Sequence, residues 1–161
     1  MKLIDKILEE KTDTEMKELF YEELKDFHFI TFWEVLMHNL LQDLHLYDEL
    51  AYTQRRALFI DLVEYYMKKG LLKFKSGEVG LYKWEMDKSW DEVEKQYIDF
   101  DHFTPEQMRD FIQEHMPTGN EEHFDEDTWM INFFYGTMPN ALYWYDGSDP
   151  QFPEPEWILG D

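Results

Sequence analysis

The chain holds many residues able to do chemistry, and their spacing tells most through the patterns it does not form. Six histidines stand at His28, His38, His45, His102, His115 and His123. No two lie at i, i+4 on one helix, and no His-Glu-x-x-His pattern occurs, so the helical zinc signature of a metalloprotease is missing. Asp101-His102 and Glu114-His115 are chain neighbours, which on a helix point to different faces. There is no cysteine, which removes thiolate nucleophiles, thiolate metal ligands and disulfides, and suits a reducing compartment. No Gly-x-Gly-x-x-Gly, phosphate loop or Gly-x-Ser-x-Gly elbow is present. Carboxylate pairs are common only because Asp and Glu make up 36 of the 161 residues. These patterns predict a binding protein with no catalytic residue, no metal ligand and no cofactor.

Charge points in one direction. The net formal charge is -21, a self-repulsion that weakens a compact chain while steering oppositely charged partners toward it. It predicts no nucleic acid and no anionic membrane as direct partners, since both need a basic footprint. Residues 1–80 carry 16 Asp/Glu against 11 Lys/Arg, whereas residues 81–161 carry 20 against 4. Beyond Arg109 there are twelve Asp/Glu and no Lys or Arg. The densest run is Glu121-Glu122-His123-Phe124-Asp125-Glu126-Asp127. It lacks the alternating oxygens, central glycine and closing Glu of a calcium loop. Its position suits a helix N-terminus, where anions are favoured, a surface that meets a basic protein, or adventitious cation binding.

The aromatic residues, 18% of the chain, divide into two groups. Trp33, Trp90 and Trp129 occupy apolar helical positions and are expected in the core. Tyr143, Trp144, Tyr145 and Trp157 lie in an acidic, proline-rich end segment, from about residue 136. Tyr and Trp anchor many protein interfaces. The expected partner surface is therefore Glu121, Glu122, Asp125, Glu126 and Asp127, with Tyr143 and Trp144 as anchors.

The elements that must position these residues are mostly helices, within one compact domain spanning residues 1–161. A helix is expected over 14–27, capped by Thr14. Thr31-Phe32-Trp33-Glu34 has the form of a capping box, opening a helix with Trp33, Leu36, Met37, Leu40, Leu41 and Leu44 on its buried face. Thr53 opens the next, with Leu58, Phe59, Leu62, Val63 and Tyr66 inside, Lys68 and Lys69 in the last turn and Gly70 as the stop. Leu71–Lys75 and Val79–Trp84, flanking Ser76-Gly77-Glu78, read as a β-hairpin. A helix pair before a small hairpin matches a winged-helix layout, without the basic surface of a DNA reader. Ser89-Trp90-Asp91-Glu92 opens a helix carrying Trp90, Val93, Tyr97 and Phe100. Thr104-Pro105-Glu106-Gln107 opens another that ends before Pro117, and 126–135 is a further helix. Ala141–Tyr145 reads as a strand, and Glu156–Leu159 as a last short one. The expected class is mainly α (α+β): a helical bundle with a small antiparallel hairpin and a short C-terminal strand. The charged opening Met1–Glu10 is expected to be an amphipathic segment and not a signal peptide, and no apolar run is long enough to span a bilayer.

The stretch Phe134-Tyr135-Gly136-Thr137-Met138-Pro139-Asn140-Ala141-Leu142-Tyr143-Trp144-Tyr145-Asp146-Gly147, with the run Tyr66–Phe74, resembles the closing part of a family of small acidic bacterial proteins of unknown function. Members of this kind are often immunity proteins encoded beside contact-dependent toxins. The resemblance implies cytoplasmic residence and neutralisation of a basic toxin domain, such as a nuclease, by direct occlusion. It supplies no catalytic residues. Two alternatives stay open: a small metal-binding protein or enzyme assembled from dispersed His and carboxylates, and a structural subunit of a larger complex.

Overall fold

A computed structural model of the chain describes residues 2–12, 15, 29–70, 72–74, 76–80, 94–138 and 142–144. The helices are α1 (Leu3–Glu10), α2 (Phe29–Glu34), α3 (Leu41–Asp43), α4 (Tyr52–Lys68), α5 (Pro105–His115) and α6 (Glu126–Gly136). A π-helical segment, Val35–Leu40, joins α2 to α3 without a break in helical backbone. Short 3₁₀ turns cover Tyr47–Glu49 and Phe100–His102. The strands are β1 (Leu72–Phe74), β2 (Gly77–Gly80), β3 (Lys95–Ile98) and β4 (Leu142–Trp144). The fold is mainly α, with a small antiparallel β2–β3 hairpin and a C-terminal strand, β4, paired with β1.

Local signals account for several helix ends. In α5 the Thr104 hydroxyl accepts from the Gln107 amide at 3.1 Å while the Gln107 side chain accepts from the Thr104 amide at 2.8 Å, with Pro105 at the first helical position. Both halves of the expected capping box are therefore in place. For α4 only one half exists: the Gln54 side chain accepts from the Ala51 amide at 2.9 Å, and the helix starts one residue before Thr53. Thr12 and Glu15 exchange capping bonds of 3.1 and 3.2 Å, ahead of the expected cap Thr14, which lies outside the described residues. The remainder of that expected helix, the box at Ser89, the strand at 156–159 and most of the residues after Met138 also lie outside them.

Tertiary packing overrides three local signals. Thr31 sits inside α2, which already begins at Phe29, so the Thr31/Glu34 box does not open the helix. Residues 95–98 are strand β3 rather than helix. There Tyr97 lies opposite Glu78 and is 69% exposed, while Phe100 is buried in the following turn, edge-on to Phe103 and Phe111 at 5.0 and 5.3 Å. The third concerns the hairpin's partners. Ser76-Gly77-Glu78 does not fold β1 back onto β2. The Ser76 hydroxyl donates to Asp99 at 2.7 Å and its amide to Asp101 at 3.0 Å. These distant bonds keep the chain extended, so β2 pairs with β3, Gly77 opposite Ile98. β1 is left to take β4, with Leu72 opposite Trp144 and Lys73 opposite Tyr143.

α4 is the centre of the core. Leu58, Phe59, Leu62, Val63 and Tyr66, its expected apolar stripe, are all buried, and so is Ile60. The burial extends beyond one stripe because α1, α5 and β1 all pack against this helix. Phe59 meets Phe32, Trp33 and Phe134 with ring centroids 5.6, 5.3 and 5.8 Å away, all edge-on. Each such pair adds roughly 0.5–1.5 kcal/mol to simple burial. These rings bind α2 and α6 onto α4. Trp33, Leu36, Met37, Leu40 and Leu41 are buried as their spacing predicts, and the wider π turns bring Val35 inside as well.

Two glycines are required by geometry. Gly70 has φ +72° just after α4, and a Cβ there would meet open space. Gly119 has φ +97°, and a Cβ would lie 2.9 Å from the Tyr52 ring. Gly70→Ala is expected to cost only the left-handed backbone penalty, about 1 kcal/mol. Gly119→Ala adds a clash and is expected to cost about 2–3 kcal/mol. Urea unfolding of both variants checks the order, and a Gly70→Ala cost equal to that of Gly119→Ala would show that the Tyr52 contact carries no weight.

Candidate functional site

The acidic run 121–127 leads into α6, and most of its carboxylates serve the fold. The left-handed backbone at His123, φ 60°, turns the chain so that Phe124 stacks near Tyr52, centroids 4.9 Å apart. The Trp129 indole donates to the His123 carbonyl at 3.2 Å. Glu121 closes the preceding loop, accepting from the Thr118 amide at 3.0 Å and from the Gly119 amide at 3.2 Å. Asp125 is the N-cap of α6, accepting from the Thr128 hydroxyl at 2.6 Å and the Thr128 amide at 3.2 Å. Those two bonds hold its carboxyl below the usual aspartate range, because they favour the charged form.

Glu126 has the largest structural role. Its two oxygens accept from both terminal nitrogens of Arg55 at 2.6 and 2.7 Å, a bidentate fork. Arg55 is only 8% exposed. Its guanidinium lies 5.3 Å from the Tyr47 ring centre and 5.8 Å from that of Tyr52, and Nη1 approaches the Met37 sulfur at 3.7 Å. The hydrogen bonds to Glu126 outweigh burial and push the Arg55 pKa further up. The Tyr52 hydroxyl, raised by burial against the opposing pull of Arg56, stays protonated and donates to the Pro117 carbonyl at 2.7 Å. The first turn of α4 is thereby joined to the first turn of α6 and to the π-helix.

Beside this joint lies a groove of about 310 Å³. Trp33, Glu34, Met37 and His38 line one side of it, and Glu126, Asp127, Met130 and Ile131 the other, with Tyr47 completing the wall. Glu34, His38 and Asp127 are exposed at the rim. Ile131 is 48% exposed, and one turn further along α6 the Tyr135 ring is 53% exposed. His38 stacks against Tyr47 with centroids 5.7 Å apart. Trp33 and Glu34 reach this wall from the end of α2, and Met37 and His38 from the π-helix that continues it. The groove thus combines an apolar floor, two aromatic rings and carboxylates, and among the described residues no Lys or Arg lines it.

The expected partner surface is divided by these positions. Glu126 and Asp127 reach the groove. Glu121 and Asp125 are occupied as local caps, and Glu122, with an 89% exposed side chain, lies 3.4 Å from the equally exposed His123. Tyr143 and Trp144 are placed by backbone pairing on β1, which follows the C-terminal end of α4, whereas Glu126 is bound at its N-terminal turn. The 17 residues of α4 span about 25 Å, so the two halves of the surface fall at opposite ends of that helix. Glu34, His38, Tyr47 and Ile131 were not anticipated. A sequence signal was available for Glu34 alone, an acid following a tryptophan, and it read as a cap. Among the described residues no three His, Asp or Glu side chains converge at metal-binding spacing, and no helix is long and apolar enough to cross a membrane.

No protein-family model, curated protein or solved structure matches the chain.

Breaking a buried ion pair from one side costs about 3–5 kcal/mol. The Glu126 side chain is 28% exposed, and water access lowers the expected cost of Glu126→Gln to about 2 kcal/mol. Glu122→Gln and Asp127→Asn, on exposed carboxylates, are expected to stay within about 0.5 kcal/mol of the unaltered protein. Chemical unfolding separates the two classes. A cost for Asp127→Asn matching that of Glu126→Gln would remove the distinction between fold-bearing and free acids.

Proposed function

We propose that this chain is an acidic binding protein that occludes a basic protein domain, acting as an immunity protein of the kind its C-terminal stretch resembles, with a toxin such as a nuclease as its target. The observation that carries this reading is the groove beside α6. Exposed carboxylates flank aromatic and aliphatic side chains there, and among the described residues none in the lining is Lys or Arg. Such a surface suits a partner that brings its own cations.

The charge distribution supports the same reading. All three arginines of the chain, Arg55, Arg56 and Arg109, make internal bonds. Arg56 donates to the carbonyls of Pro117 and Gln113 at 3.0 Å each, and Arg109 to Asp61 and Glu64 at 2.7 and 3.1 Å. The excess of acid is therefore left for the outside, where it steers encounter and rejects wrong partners. An inhibitor of this kind needs no reactive group. It acts by covering the basic active surface that the toxin uses to hold its own anionic substrate.

The test uses the product of the neighbouring reading frame. A basic domain encoded there is expected to bind the full chain at 1:1 and lose its activity on binding. Its association rate is expected to approach about 10⁸ M⁻¹s⁻¹ at low salt and to fall steeply as salt is added. Stopped-flow association across a salt series measures this. A neighbouring domain that is not basic, or that binds with a rate indifferent to salt, overturns the proposal.

A further inference from the structure

We infer that the groove between the π-helix and α6 receives an arginine side chain from the basic partner. The inference rests on the reading of the chain as an acidic binding protein and deepens it by naming the group recognised. The groove's volume, about 310 Å³, lies at the small end of ligand clefts, which run from about 300 to 1,000 Å³. It suits one long side chain. Ile131, 48% exposed, and the half-buried Tyr47 ring provide an apolar path for an aliphatic stem above the buried Met37 and Met130, while Glu34 and Asp127 stand at the rim to meet a charged head.

The chemistry favours a guanidinium over an ammonium. A guanidinium is planar, stacks on rings and takes a carboxylate through two parallel hydrogen bonds, whereas an ammonium is a compact, strongly hydrated point charge. Arg55 displays this chemistry from the protein side of the same wall. Its guanidinium is held by the Glu126 carboxylate and lies near the Tyr47 ring. Glu126 and Tyr47 also line the groove. An incoming arginine would thus meet the same wall from its outer side, with Glu34 and Asp127 supplying the charge that Arg55 has neutralised on Glu126.

The full chain, labelled at its isoleucine δ1 methyl groups, reports on this directly by NMR, because Ile131 lines the groove while Ile60 and Ile112 are buried elsewhere. The probes are a tetra-arginine and a tetra-lysine peptide. The Ile131 methyl is expected to shift saturably with tetra-arginine. Tetra-lysine is expected to bind about threefold more weakly, the worth of one exposed cation–π contact. Glu34→Gln with Asp127→Asn is expected to weaken tetra-arginine about tenfold, as for two exposed ion pairs. Glu9→Gln with Glu10→Gln on α1 removes the same charge and is expected to change little. An unresponsive Ile131, equal affinity for the two peptides, or equal weakening by the two double variants would overturn the inference, the last by showing only diffuse attraction. The neighbouring basic domain keeps this failure distinct from that of the broader reading. If it binds Glu34→Gln/Asp127→Asn unchanged, the groove assignment falls and the acidic-binder reading stands. If it does not bind the unaltered protein, the broader reading falls.

Discussion

The arrangement around the groove depends on one buried ion pair, Arg55 with Glu126. Each partner comes from the first turn of its helix, so the bidentate fork sets the start of α4 against the start of α6. It also fills the space beneath Tyr47, Tyr52 and Met37, and so holds the π-helix wall. A buried guanidinium cannot give up its proton at any ordinary pH, and it must therefore have a carboxylate within reach. That requirement, together with the ring cluster around Phe59, fixes where α6 can sit. A carboxylate that looks like surface acid in the linear chain is in fact an internal strut.

The same logic governs the other arginines. Arg56 supplies donors to the Gln113 and Met116 carbonyls at the end of α5, which have no partner within their own helix. Arg109 crosses from α5 to two carboxylates on α4, where burial opposes its charge but Asp61 and Glu64 outweigh it and raise its pKa. In a chain of net charge -21, cations are scarce, and the most versatile of them work at helix–helix joints. Lys68, by contrast, is exposed and bridges Glu64 and Glu106 at 3.6 and 3.5 Å. Among the described residues, the helix–helix joints are thus held by local neutralisation.

The groove itself is a compromise between packing and exposure. Its π-helical wall carries a buried apolar side, with Leu36, Met37 and Leu40 nearly inaccessible, and an exposed side with His38. Opposite it, α6 is apolar nearly all round. Trp129, Met130, Phe133 and Phe134 are buried while Ile131 and Tyr135 are not. Under the proposed reading, those exposed apolar side chains beside carboxylates would give a partner something to desolvate.

The sequence by itself determined the helical class, the buried stripes of the central helices, the cap at Thr104, the start of α6 and the strand at Leu142–Trp144. These follow from properties a short window contains: the 3.6-residue period, a hydroxyl three residues before a side-chain amide, a run of β-formers. It also located the acid excess beyond Arg109. Only the tertiary structure decided which strands pair, because Ser76 bonds to Asp99 and Asp101, some two dozen residues away. It turned residues 95–98 into strand for the same reason, since ladder partners lie on another segment. It also divided the expected patch, making Glu126 a strut, Glu121 and Asp125 caps, and Asp127 one rim of a groove whose other rim, Glu34, lies 93 residues earlier. Charge is a property of each residue and is legible in one dimension. Whether a carboxylate is buried against an arginine or left free for a partner is a property of what folds against it.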